Sequence, residues 1–260
     1  MNDSLSFIHP DARIGKDVEI GPFCYIAANV EIGDGCKIGP HATIYDYVKM
    51  GRDCSVFPGA VIGAIPQDLK FDGEETWVEI GDRTTIRECA TINRGTAASG
   101  KYKTIVGSDC LIMSYVHIAH DCRVGDHCIF SSFTGLAGET DVDDWAILGG
   151  GALVHQFSHI GAHSMVGGGN TVTKDVPPYV LAGRNPVVYE GINIVGLRRR
   201  GFTNDVIMEI KDIYQTIYAG GMTVSQACEK VAETFPQSEH RDAILAFVAG
   251  STRGIIKSAV

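Results

Sequence analysis

The sequence has no CxxC pair, fewer basic than acidic residues (22 Lys and Arg against 31 Asp and Glu), and no apolar run near the roughly 20 residues that a bilayer-spanning helix requires. A chain of net charge -9 without a basic tail is poorly suited to non-specific nucleic-acid binding, because phosphate contacts need clustered Lys and Arg, and that class is set aside. Met1–Pro10 has neither a basic n-region nor an apolar h-region; Asp3 and His9 stand there instead. The expectation is a cytoplasmic protein with no transmembrane segment. At 20% charged and 45% hydrophobic residues the chain is too apolar for disorder, and 260 residues make one large domain or two modest ones.

What is abundant is glycine, at 31 residues, and a period of six. Large aliphatic residues recur at Ile14, Ile20, Ile26, Ile32, Ile38, Ile44, Met50, Val56 and Ile62, and again at Ile80, Ile86 and Ile92. A third block runs without a miss from Val106 through Ile112, Ile118, Val124, Phe130, Leu136, Val142, Leu148, Val154, Ile160 and Val166 to Val172. Four positions after each stands a small or β-branched residue, such as Val18, Cys24, Val30, Cys36, Ala42, Cys54, Cys110, Cys122 and Cys128. Positions two apart share one face of a strand, so each hexad reads as a short strand with a small and a large inward residue. The corner that follows often carries glycine (Gly15, Gly21, Gly33, Gly39, Gly51, Gly63).

Three such sides closing on themselves give an 18-residue coil and a mainly β, triangular parallel β-helix. Periodicity does not give its hand. Six of the eight cysteines fall at the small inward position, so they read as core. Two interruptions, residues 64–78 and 94–104, read as extruded loops suited to substrate contacts. Past Val187 the hexads cease, and Thr203 and Thr223 precede apolar stripes such as Val206, Ile210, Ile213 and Ile217 as helix N-caps do. The expected organisation is a β-helix over 1–187 and a helical subdomain over 188–260.

The chemistry-bearing segment is His117-Ile118-Ala119-His120-Asp121-Cys122, with Ile118 and Cys122 inward and His117, His120 and Asp121 outside. Steps of 18 residues stack His120, Gly138 and Gln156 in one column, beside Glu139 and His155. An imidazole next to a glycine backbone suits acyl transfer, the base taking a hydroxyl proton while an N–H stabilises the oxyanion. Three readings stay open here: an acyltransferase, a zinc-dependent hydratase using the many histidines (His117, His120, His127, His155, His159, His163), and a noncatalytic scaffold. The HxxH spacing belongs to helices, and this segment is not helical, which weighs against metal.

The chain resembles the UDP-N-acetylglucosamine acyltransferases that begin lipid A biosynthesis. The resemblance rests on Ile8-His9-Pro10, Pro66-Gln67-Asp68-Leu69-Lys70-Phe71, Ile86-Arg87-Glu88, Asn93-Arg94-Gly95-Thr96, the His117–Cys122 segment, Val154-His155-Gln156-Phe157, Asp175-Val176-Pro177-Pro178-Tyr179, Gly196-Leu197-Arg198-Arg199-Arg200-Gly201-Phe202 and Ser251-Thr252-Arg253-Gly254. It covers nearly the whole chain. It implies a left-handed parallel β-helix with a C-terminal α-helical subdomain, a homotrimer with sites between subunits, and no cofactor or metal. The implied reaction moves a 3-hydroxyacyl group from acyl carrier protein to the sugar 3-hydroxyl of UDP-N-acetylglucosamine.

By the same resemblance His120 is the general base, Asp121 its partner and Gly138 the backbone oxyanion donor. Gln67, Asp68, Lys70, His117, His155, Gln156, Asn193, Arg199 and Arg200 meet the nucleotide sugar. The run Arg198 to Arg200 suits uridine diphosphate or the acidic carrier. Gly168 matches a position that sets acyl length, and its lack of a side chain points to a chain of roughly fourteen carbons or more. Pro186, at the far end of that groove, stands for a histidine of some relatives. Glu139 replaces a histidine and Val195 a glutamate of the family pattern; the carboxylate at 139 leaves room for a diamino-sugar nucleotide as acceptor.

Overall fold

Every third hexad returns to the same side of the molecule. The computed structural model describes residues 5–258; Asp3 of the N-terminal reading and residues 259–260, the end of the expected helical subdomain, lie outside the described residues. The first side holds nine parallel strands, from Phe7–Ile8 to Thr171–Val172, and the second eight, from Arg13–Ile14 to His159–Ile160. The third holds eleven, from Glu19–Ile20 to Met165–Val166 and on through Val180–Gly183 and Val188–Ile192 to Lys257–Ser258. In the uninterrupted stretches the register advances by 18 residues, placing Ile26 opposite Ile44, Ile118 opposite Leu136 and Leu136 opposite Val154. The coil is a left-handed parallel β-helix.

Ile26, Ile44, Ile62, Ile92, Ile118 and Leu136 form one buried column, each worth about 1.5–3 kcal/mol relative to an exposed side chain. The inward cysteines are buried, and their thiols donate to corner carbonyls of the next coil: Cys24 to Gly39 (3.1 Å), Cys54 to Gly81 (3.0 Å), Cys122 to Ala137 (3.2 Å). Burial pushes the Cys122 thiol up to about 12, so it packs as a neutral donor.

Corner glycines and corner turns are separate devices. Gly33 directly follows an inward aliphatic residue, and an ideal β-carbon there would meet the next coil's backbone 2.6 Å away at Gly51. The left-handed backbone falls two residues later, at Phe23, His41, Tyr115, Asp121, Phe133, Glu139, Trp145 and His163. Each such non-glycine residue costs about 1–3 kcal/mol. Ring stacks between coils offset part of it, among them Tyr115 on Phe133 (5.1 Å) and His127 on Trp145 (4.0 Å).

Between those two positions the corner leaves one backbone N–H outside the ladder. At the corner between second and third sides a carboxylate from the next coil caps it: Asp34 for Lys16, Asp82 for Arg52, Asp126 for Ser108 and Asp144 for Asp126.

The hairpin Val180–Gly183 with Val188–Ile192 carries the third sheet across residue 187, and the helices follow as α1 (Ile194–Arg199), α2 (Asn204–Ile217), α3 (Val224–Thr234) and α4 (Glu239–Gly250). Pro186 lies between the two strands of that hairpin. Thr203 and Thr223 cap α2 and α3 with their side chains, and Ile210, Ile213 and Ile217 are buried. The tail is tied back to the last coil by Ser251, which donates to Asp175 (2.5 Å), and by Arg253, which donates to the Thr173 carbonyl (3.0 Å). No helix among the described residues is long and apolar enough to cross a membrane.

The outer faces differ. The second side shows Arg13, Glu31, Lys49, Glu79, Arg123 and Asp141, with ion pairs such as Arg13–Glu31 at 3.0 Å. On the third side Leu111, Ile129, Ile147 and Met165 line up in register and remain half-buried.

Candidate active site

Both loops, residues 65–76 and 94–102, leave the first side just after Val61–Ala64 and Thr91–Asn93, at the same corner that His120 occupies one coil further on. They fold over that corner and touch each other, the Ala97 N–H donating to Glu74 Oε1 at 2.9 Å.

Neighbouring side chains on a strand point to opposite faces and do not meet. At Asp121 the backbone turns left-handed (φ 61°), which breaks the alternation and lets adjacent side chains bond: His120 Nδ1 lies 2.8 Å from Asp121 Oδ2. Asp121 is fully buried. Its Oδ1 accepts the Thr96 N–H (2.8 Å) and the Ser99 hydroxyl (2.7 Å), and its Oδ2 also accepts the Thr96 hydroxyl (2.7 Å). Burial works to raise its pKa, but the hydrogen bonds from His120, Ser99 and Thr96 outweigh it and hold the carboxyl below the ordinary value.

An ionised Asp121 only accepts, so His120 carries a proton on Nδ1 and keeps a lone pair on Nε2. The bond to Asp121, opposed by burial, raises the imidazole above its ordinary 6.5, and the charges of Asp121, Asp68 and Glu139 add to the rise. Nε2 faces two groups. Asp68 Oδ2 of the first loop is 3.8 Å away, and an ideal β-carbon on Gly138 would lie 2.4 Å away. The Gly138 N–H is the corner donor that carboxylates cap elsewhere; here the next coil offers Gln156, and the N–H has no partner among the described residues.

His117 Nδ1 is 2.7 Å from the Thr91 hydroxyl, and burial together with the His120 charge lowers its pKa. Gln67 and Lys70 are exposed on the first loop, where the Lys70 N–H donates to Asp68 Oδ1 (2.9 Å). His155 and Gln156 are exposed one coil beyond Gly138. These residues share one corner. Asn193 and Arg200 belong to the corner between second and third sides: Asn193 caps α1 and donates to the His163 carbonyl (3.0 Å), and Arg200 donates to the Trp145 carbonyl (2.8 Å). Arg199 and Val195 are exposed on α1. Gly168 lies at the third corner, inside the glycine run 167–169, one coil beyond the run 149–151. The chain therefore spreads the candidate residues over three corners.

Thr96 and Ser99 hold Asp121, and Glu74 joins their loop to the first one; the sequence reading gave none of the three a role. The signal was present: both interruptions begin two residues after the first-side aliphatics Ile62 and Ile92, the place His120 takes after Ile118.

The fold and this site define a hexapeptide-repeat transferase, and the model of the bacterial transferase hexapeptide (six repeats) matches residues 11–46 and 103–138. Residues 175–256 match the model of the UDP N-acetylglucosamine O-acyltransferase, domain 2. The acyl-[acyl-carrier-protein]--UDP-N-acetylglucosamine O-acyltransferase of Herminiimonas arsenicoxydans is 45% identical over 260 residues, covering 98% of each chain. That of Thiobacillus denitrificans is 46% identical over 252 residues and 97% of each. The crystal structure of the UDP-N-acetylglucosamine acyltransferase from Bacteroides fragilis 9343 is 50% identical and superposes with a TM-score of 0.96, covering 99% of this chain and 100% of that one. The chain belongs to this O-acyltransferase family and is an acyltransferase.

Proposed function

We propose that the protein transfers a 3-hydroxyacyl group from acyl carrier protein to the 3-hydroxyl of UDP-N-acetylglucosamine, the opening step of lipid A synthesis. The observation that carries this reading is the His120 imidazole, fixed through Nδ1 to a buried carboxylate, with Nε2 turned toward the uncapped N–H of Gly138.

His120 Nε2 removes the proton of the sugar hydroxyl as its oxygen attacks the thioester carbonyl carbon. The carbonyl oxygen takes up negative charge and is met by the Gly138 N–H. As the tetrahedral intermediate collapses, the C–S bond breaks and His120 returns its proton to the leaving sulfur, giving the ester and the free thiol of the carrier. Asp121 stays ionised and steadies the imidazolium. Gln67, Asp68, Lys70, His117, His155 and Gln156 supply the sugar side from this corner.

Asn193, Arg199 and Arg200 lie at another corner and Gly168 at a third, so a complete site needs a neighbouring subunit. The apolar ladder Leu111, Ile129, Ile147 and Met165 supports that association as a homotrimer. The side-chain-free glycine runs at the third corner support an open groove for a long acyl chain. Glu139 beside the base also suits an amine at the sugar 3-position. The test is acyl transfer from a panel of 3-hydroxyacyl carrier proteins to UDP-N-acetylglucosamine and to its 3-amino analogue, with His120→Ala as control. Product with neither acceptor would overturn the reading.

A further inference from the structure

The Asp121 carboxylate receives four donors, and only one comes from the histidine it serves. The other three, the Thr96 N–H and the hydroxyls of Thr96 and Ser99, come from the second loop. That loop is closed on itself: the Ser99 N–H donates to Thr96 Oγ1 (3.2 Å) and the Lys101 N–H to Ser99 Oγ (3.0 Å). It is also joined to the first loop, because Glu74 accepts the Ala97 N–H through Oε1 (2.9 Å) and the Asp72 N–H through Oε2 (2.7 Å). The first loop brings Asp68 to within 3.8 Å of His120 Nε2. Both ends of the imidazole are thus governed by one pair of linked loops.

Resting on His120 as the base, we propose that Thr96 and Ser99 are positioning residues that fix the orientation and charge of Asp121, and that Glu74 couples them to the substrate loop. A buried carboxylate without its donors would rotate and regain its burial-raised pKa. Each hydroxyl places one oxygen: Ser99 holds Oδ1, and Thr96 holds Oδ2 on the line to Nδ1. The charged and titratable groups facing the pair are Asp68 from the first loop, Glu139 from the next coil, His117 from the preceding strand, and Lys101, whose Nζ donates to the Asp121 carbonyl (3.2 Å) and pairs with Asp141 (3.5 Å).

The test compares Thr96→Val, Ser99→Ala and Glu74→Ala with the conservative Thr96→Ser, by steady-state kinetics across pH and by NMR titration of the His120 ring. Loss of either hydroxyl is expected to lower kcat about tenfold or more with the nucleotide-sugar KM within about twofold, as for a lost hydrogen bond to a charged group. The acid limb moves to higher pH, because a less satisfied carboxylate either titrates nearer neutrality itself or holds the imidazolium proton more tightly. Thr96→Ser keeps the parent profile. Glu74→Ala lowers kcat and raises KM together. A purely structural role would cut the folded fraction and leave the limb in place; Thr96→Val and Ser99→Ala with parent kcat and limb overturn the proposal. If His120→Ala remains active the base assignment itself fails, and the ring titration still tests the clamp.

Discussion

The His120 imidazole occupies the space in front of Gly138 where a side chain would begin. One coil and 18 residues separate them, and an ideal β-carbon on Gly138 would come 2.4 Å from Nε2 and 2.5 Å from Cε1. On the proposed roles, residue 138 must lack a side chain for base and donor to share one oxygen's reach.

Gly138→Ala should therefore fold and fail. Displacing the ring by about an ångström costs roughly 10²-fold in kcat. Gly220→Ala, where an added β-carbon meets nothing within 4 Å, is the control expected to keep parent activity. Comparable kinetics for both variants would mean that the imidazole does not work from this position.

The pH profile has a defined sign. As the proposed base His120 must be neutral to act, and its pKa is raised by the Asp121 bond and by Asp121, Asp68 and Glu139 charge. Activity is present above that raised pKa and lost as pH falls through it, so the acid limb lies above 6.5. Glu139→Gln removes one contributing charge and should move the limb to lower pH, more at low salt than at high salt. A limb that moves up, or that ignores ionic strength, would count against this field.

The coil was legible because its period is enforced by packing: inward residues recur every six positions, and no alternative buries Ile26, Ile44 and Ile62 in one column. The column His120, Gly138, Gln156 followed by arithmetic, as the register of Ile118 on Leu136 and Leu136 on Val154 bears out. The hand of the coil was not legible, since a hexad pattern is the same in either sense. The clamp on Asp121 was hidden for another reason. Thr96 and Ser99 lie in a loop without periodicity, and their partner is more than twenty residues away; only the folded loop makes the contact.

The half-buried ladder on the third side gives a prediction about assembly. Ile129→Arg or Ile147→Glu would place a charge where the proposed trimer buries an apolar row, at a cost of several kcal/mol if the charge stays unpaired. Light scattering is expected to report a trimer for the parent and smaller species for the variants, with activity falling in parallel. A parent that is active as a monomer would remove the reason for dividing the site among subunits.

Arg199 and Arg200 are adjacent in sequence and differ in setting, so they should separate in experiment. The Arg200 guanidinium lies over the Trp145 ring (5.3 Å), donates to the Trp145 carbonyl (2.8 Å) and has its pKa lowered by burial. Removing it orphans that carbonyl and the ring face, at about 1.5–3 kcal/mol for a charged hydrogen bond, or a fall of several degrees in Tm for a chain of this size. Arg199 is exposed and its loss should leave Tm within about a degree. If both arginines meet the nucleotide sugar across a subunit boundary, Arg199→Ala raises KM alone, whereas Arg200→Ala raises KM and lowers Tm. Thermal melts and UDP-N-acetylglucosamine saturation curves on the same two preparations distinguish a residue that binds from one that both binds and braces the α1 helix against the coil.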